Sequence, residues 1–116
     1  MKGRSTRMYK ELLDFHIFEG ISEQSKERIM KIPILYKEYE AEEIVSFFGE
    51  ELKYIHFILK GTLKTTEYSI QGREIVSSYY PKRSIFPFYL LYSGAQTQPY
   101  NITCFKDAQV IHVPAT

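Results

Sequence analysis

From Ile34 onward the chain changes its hydrophobic period, and that change constrains the fold more than any other feature. Before it, apolar residues recur at helical spacing. After it, short runs rich in β-branched and aromatic residues alternate with turn residues at close, regular intervals. The runs are 34–39, 44–48, 54–59, 62–68, 74–80, 85–86, 100–105 and 108–113. Between them stand Gly49-Glu50-Glu51, Lys60-Gly61, Gln71-Gly72, Pro81-Lys82-Arg83-Ser84 and Lys106-Asp107, which carry the residue types that turns need. About eight short strands in 116 residues fill one domain and predict a sandwich, jelly roll or barrel. Ten Tyr and eight Phe suit such strands and give broad, rigid surface for a sheet core or a pocket.

Residues 1–33 read as helical. Ser5 or Thr6 is expected to cap a short helix with Met8, Leu12 and Leu13 as its apolar positions. A second helix is expected to start at Ser22, carry Glu23 in its first turn, and stop near Pro33. Both are short and hold only by packing on something larger. One stretch breaks the regular strand spacing: 87–99, with Pro87, Gly94 and Pro99, reads as a long loop. An irregular loop of that length inside a compact β domain is usually functional.

Charge and cysteine content narrow the function classes. The formal charge of +1 gives no bulk attraction to nucleic acid or to an anionic membrane. Lys2, Arg4, Arg7 and Lys10 cluster at the N-terminus without an aromatic platform or recognition helix, so they read as a solvated segment. No run approaches the roughly twenty apolar residues that a spanning helix requires, and no membrane partner is expected. Cys104 is the only cysteine and reads as a small core residue. With no secretory signal pattern at the start, the expectation is a reducing cytoplasm.

Catalytic patterns are missing from the sequence. There is no nucleophile-elbow serine and no glycine-rich phosphate loop, and the acidic pairs Glu42-Glu43 and Glu50-Glu51 fall in turns. His16, His56 and His112 are at least forty positions apart, with none of the close His-x-His pairing of a cupin metal site. Neither enzymatic activity nor a metal or other cofactor is expected.

Several segments, in order, resemble the cyclic-nucleotide-binding fold of Crp/Fnr regulators. Phe18-Glu19-Gly20-Ile21-Ser22 is similar to the family's lead into its N-terminal helix. Tyr36-Lys37-Glu38 and Glu42-Glu43-Ile44-Val45 look like its first two strands, and Gly49-Glu50 like its hairpin Gly-Glu. Tyr54-Ile55-His56-Phe57-Ile58-Leu59-Lys60-Gly61 matches its most recognisable strand. Gln71-Gly72-Arg73-Glu74-Ile75-Val76, followed by Ser78-Tyr79, matches the next hairpin, and Asp107-Ala108-Gln109-Val110 the last strand. The resemblance runs from about Phe15 to Val113. It implies a mainly β, jelly-roll-like double-stranded β-roll of about eight antiparallel strands behind short N-terminal helices. The chain is then a single domain over 1–116, helical over 1–33 and β-roll over 34–113.

The resemblance also implies a ligand site, and there the sequence departs from the pattern. In the family a Gly-Glu pair and, about ten residues later, an Arg-Ser pair grip ribose and phosphate. At the same spacing those positions fall on Pro87-Phe88 and Gln98-Pro99. Pro87 and Pro99 also lack a backbone N–H. A buried phosphate without a cation costs several kcal/mol, so cyclic AMP and cyclic GMP are not expected to bind in the family's manner. What remains is an apolar, aromatic loop, which suits a neutral or aromatic small-molecule effector. The expected contacts are Phe86, Phe88, Tyr89, Gln98 and Thr103, with Thr65 and Ser78 deeper in the roll. Two readings stay open beside this one: a cyclic-nucleotide receptor using Gln96, Thr97 and Asn101 as substitute donors, and a cupin-like metalloprotein. A further alternative is that the aromatics fill an emptied pocket in a ligand-free interaction domain. Family members dimerise through a long helix and bind DNA through a helix-turn-helix beyond it. The sequence stops at Thr116, before both, so the expectation is either a fragment of a regulator about twice as long or a truncated gene. Homodimerisation and DNA binding are expected only of the full-length protein.

Overall fold

The computed structural model describes residues 2–86, 97–98 and 100–114, with side chains from Arg7 onward. Two helices come first: α1 (Lys2–Leu13), then a single 3-10 turn at His16–Phe18, then α2 (Glu23–Ile29). The second begins where the sequence predicts, since the Ser22 hydroxyl accepts from the Ser25 N–H at 3.1 Å and caps it. The first begins at Lys2, upstream of the expected Ser5 or Thr6 cap, and both of those residues lie inside the helix. The Tyr9 hydroxyl donates to the Ile32 carbonyl and ties α1 to the chain just beyond α2.

Six antiparallel strands follow among the described residues: β1 (Leu35–Tyr39), β2 (Ile44–Ser46), β3 (Tyr54–Tyr68), β4 (Glu74–Pro81), β5 (Ile85–Phe86) and β6 (Asn101–Pro114). The order is β1-β6-β3-β4, with β2 also paired to β6 and β5 to β3. About eight strands were expected; two of those boundaries are not breaks. The chain runs through Lys60-Gly61 and through Lys106-Asp107, so four predicted runs merge into the long β3 and β6. At both places the ladder shifts register, between Ile58 and Lys60, Lys60 and Thr62, and Thr62 and Leu63. Such bulges bend and twist a strand pair.

The bend curls the sheet around one core. Tyr39, Ile58, Ala108 and Val110 from one half pack with Leu63, Ile102, Cys104 and Tyr100 from the other. The opposite face of the β3–β6 pair buries Phe57 and Ile111 beneath the helices, against Leu12 and Phe15. Phe15 meets Phe57 edge-on at 5.1 Å between ring centres. The roll therefore has an inner face, closed on itself, and an outer face closed by α1. Among the described residues no helix is long and apolar enough to cross a membrane.

Candidate functional site

The inner face of the roll carries an uncommon set of buried polar groups. Side chains alternate along a strand, so His56 shares the inner face with Ile58, and His112 shares it with Val110. The register sets His56 opposite His112. Their Nδ1 atoms lie 2.8 Å apart, and the Tyr39 hydroxyl lies 2.9 Å from His112 Nε2. The two histidines are 4% and 5% exposed.

Desolvation fixes the charge of this row. Burial, and then the neighbouring His112, pushes His56 down to about 3. Burial, and then Lys37, pushes His112 down to about 4. Burial, with Glu43 and Cys104 behind it, pushes the Tyr39 phenol up to about 12. At neutral pH all three groups are uncharged. Neutrality allows either direction of donation along the row; the Tyr39 hydroxyl has His112 as its sole hydrogen-bond partner among the described residues, which places the phenol proton there. Tyr39 keeps its proton and donates to His112 Nε2; His112 is then protonated at Nδ1 and donates to His56 Nδ1. His56 is left carrying its own proton on Nε2.

That Nε2 has no hydrogen-bond partner among the described residues, and neither have Thr65 Oγ1 or Gln98 Oε1. All three atoms are buried, and leaving one unmatched costs about 1–3 kcal/mol. Thr65 lies on the inner face because it alternates with the core residue Leu63. Gln98 is fixed by its backbone: its N–H donates to the Glu50 carbonyl at 2.7 Å and its carbonyl accepts from the Gly49 N–H at 2.9 Å. Its side chain lines a cavity of about 160 Å³ together with Tyr39, Ser46, Tyr54, His56 and His112.

Among the described residues no buried cation faces this row; Lys37 and Lys53 stand exposed at the cavity mouth. Lys64 is the one buried cation among the described residues. It sits opposite Thr103 and Tyr79, with Glu74 at 3.4 Å, Glu42 at 3.8 Å and the Phe105 ring below it. Its strand neighbours Leu63 and Thr65 point inward, so Lys64 points outward. Arg83 pairs with Asp14 at 3.0 Å and covers the Phe15 ring on the helical side. Among the described residues no three His, Cys, Asp or Glu side chains gather where a metal ion could be held.

The expected contacts divide. Thr65, Phe86 and Gln98 are buried; Phe86 packs in the inner cluster, stacked on Tyr80 at 3.9 Å and beside His56 at 5.3 Å. Ser78 corrects the expectation of a residue deep in the roll. It pairs with Thr65, but β4 ends the strand order and Ser78 is exposed. Thr103, expected as an effector contact, is buried, and as the neighbour of the core residues Ile102 and Cys104 it faces the other way, toward Lys64. Phe88 and Tyr89 lie outside the described residues. Of the substitute donors, Asn101 accepts the Phe48 N–H through Oδ1, Thr97 is exposed, and Gln96 lies outside the described residues. Sequence reasoning missed the Tyr39–His112–His56 row, because His56 and His112 are distant in sequence and meet only through the β3–β6 register.

Comparison with known proteins agrees with this architecture. The sequence matches the family model of the cyclic nucleotide-binding domain over residues 36–116. No curated protein matches it. In structure the chain is similar to the sensor domain of the transcriptional regulator DNR from Pseudomonas aeruginosa, at 14% identity and TM-score 0.80, covering 96% of this chain and 73% of that one. It is also similar to the DNR chain, at 16% and 0.76, covering 90% and 46%. A third is the regulatory subunit of a cAMP-independent protein kinase A from Trypanosoma cruzi bound to guanosine, at 12% and 0.76, covering 97% and 39%. The chain thus spans less than half the length of those last two, and at such identities the likeness is one of fold. The family match extends from β1 through all of β6, and on that ground the chain belongs to the cyclic nucleotide-binding domain family.

Proposed function

We propose that this chain is the effector-sensing domain of a Crp/Fnr-type transcription regulator, and that its effector is a small molecule other than a cyclic nucleotide. The observation that carries the reading is the roll interior: unmatched polar atoms on His56, Thr65 and Gln98, while the one buried cation among the described residues, Lys64, is paired with Glu74 and Glu42 on the other face of its strand. A phosphodiester needs a cation or several convergent donors to leave water. An uncharged ligand needs only the hydrogen bonds that these atoms leave unmade. The regulatory subunit from Trypanosoma cruzi, similar in fold over part of its length, is bound to guanosine, an uncharged nucleoside, which supports the idea that proteins built on this scaffold accommodate neutral ligands.

Signalling requires that the ligand bind one of two arrangements of the roll more tightly than the other. In the proposed mechanism the effector engages the interior between Phe86 and Gln98, and the shift passes from β6 to whatever follows Thr116. The coding sequence after Thr116 tests the regulator part, where a long amphipathic helix and a helix-turn-helix are expected.

The ligand part has a direct test. Calorimetric titration with cyclic AMP or cyclic GMP should give no saturable heat at micromolar concentration. A Kd of 1 μM would require about −8 kcal/mol, which an interior flanked, among the described residues, only by the exposed Lys37 and Lys53 does not supply to a buried anion. Saturable micromolar binding of either nucleotide would overturn the reading.

A further inference from the structure

We infer that the cavity at the end of the roll, between His56 and Gln98, is a binding site for a small uncharged carboxamide or lactam. The inference rests on the effector-sensing reading and names the chemistry of its ligand. Three observations support it. The cavity offers about 160 Å³ behind its exposed mouth, and an engineered cavity of about 150 Å³ holds benzene, so one six-membered ring with a short substituent fits. His56 and Gln98 both line it, each is 4% exposed, and each has one buried polar atom without a partner. The groups that could give the interior a charge are arranged not to: Lys37 and Lys53 stand with Glu50 and Glu51 at the exposed mouth, two of each sign.

The required chemistry follows from the hydrogen-bond row. With Tyr39 donating to His112 and His112 donating to His56, the free position on His56 is an N–H donor. The free position on Gln98 is a carbonyl acceptor. A ligand that meets both must accept at one atom and donate at a neighbouring one without carrying charge. A carboxamide does so, its oxygen accepting from His56 Nε2–H and its N–H donating to Gln98 Oε1. A carboxylate fails twice, since it cannot donate to Gln98 and would set its charge against the neutral Tyr39, His56 and His112 at the inner end of the cavity, away from the exposed Lys37 and Lys53. A plain hydrocarbon ring leaves both protein atoms unmatched.

Benzamide is the probe, compared with benzoate and toluene on the whole 116-residue chain. Benzamide is expected to bind with a Kd below about 1 mM, within the range for a ligand of its size, and benzoate and toluene at least tenfold more weakly. Its binding should move the side-chain nitrogen signals of His56 and of the Gln98 amide while leaving His56 in its Nε2–H form. Gln98→Met keeps the bulk and removes the acceptor. It should fold as well as the parent, because an unmatched buried carbonyl is lost, yet bind benzamide at least tenfold more weakly. The inference is overturned if the His56 and Gln98 signals stay put at about 10 mM benzamide, well above that Kd, or if Gln98→Met binds benzamide as the parent does. The signals of the unaltered chain decide the matter even if the variant does not fold. Either negative result leaves the broader reading standing, because that reading also rests on the interior around Thr65 and Phe86 responding to some other neutral ligand.

Discussion

Gly61→Ala is expected to remove a large share of the stability of this domain. Gly61 sits where β3 bends across the roll, at φ +81°. A Cβ there would lie 2.1 Å from the Asp107 carbonyl oxygen and 2.7 Å from Ala108 Cα. Both atoms are backbone, on the matching bend of β6, so no side-chain rotation relieves the overlap. The left-handed conformation alone costs a non-glycine residue about 1–2 kcal/mol. Forcing β3 and β6 apart then opens the seam between Leu63 and Ala108, both in the inner core. The sum should exceed about 3 kcal/mol, a large share of the roughly 5–15 kcal/mol typical of a whole domain. Gly72→Ala is the control. Gly72 has the same φ of +81°, but nothing lies within 4 Å of its would-be Cβ, so it should lose only about 1 kcal/mol. Urea midpoints measure the difference. With m near 1–3 kcal/mol/M, Gly61→Ala should unfold about 1 M or more below Gly72→Ala. Equal midpoints would show that the β3–β6 bend is not held by this contact.

The same corner shows what the sequence made legible and what it did not. The strands were readable because period two survives in their residues, and the helix at Ser22 because one hydroxyl caps it. The junctions at Lys60-Gly61 and Lys106-Asp107 carry turn residues, yet the hydrogen-bond ladder continues through them. Local composition does not separate a turn that reverses the chain from a bulge that bends it. Thr103 was recoverable: once Cys104 is placed in the core, its neighbour must face away. Ser78 was not, because its partner Thr65 is buried and only the edge position of β4 leaves it exposed. The His56–His112 pair was least legible of all. It depends on a β3–β6 register interrupted by shifts at three places, and a single-residue slip would turn one ring to the other face.

That buried pair should make the protein acid-labile. Burial holds His56 at about 3 and His112 at about 4 in the folded state, whereas an exposed histidine titrates near 6.5. The unfolded chain therefore binds protons that the folded chain refuses, and stability falls as pH drops below about 6.5. The stabilisation is fully present above that pH and is lost progressively toward the folded values. Each histidine contributes about 1.4 kcal/mol per pH unit in that window, so the two together give a slope of roughly 3 kcal/mol per unit between about pH 6 and pH 4. Two units would then consume much of an ordinary domain's margin of about 5–15 kcal/mol. The groups facing the pair are Tyr39 and Lys37 from β1, Tyr54 from β3, Phe86 from β5, and Glu50, Glu51 and Lys53 around the cavity mouth. None of them offers the buried imidazoles a close anion, since neither ring has a carboxylate partner among the described residues. Replacing both rings, as His56→Leu with His112→Leu, leaves the Tyr39 hydroxyl without its acceptor and should cost a pH-independent 1–3 kcal/mol or so. It should also flatten the slope between pH 6 and pH 4 and move the acid midpoint lower relative to neutral-pH stability. Urea melts at half-unit pH intervals separate the two effects, because one shifts every midpoint equally and the other acts only in acid. If the parent and the double variant lose stability in parallel over that range, the histidines are not held neutral by the fold, and the uncharged interior on which the ligand chemistry depends is lost with them.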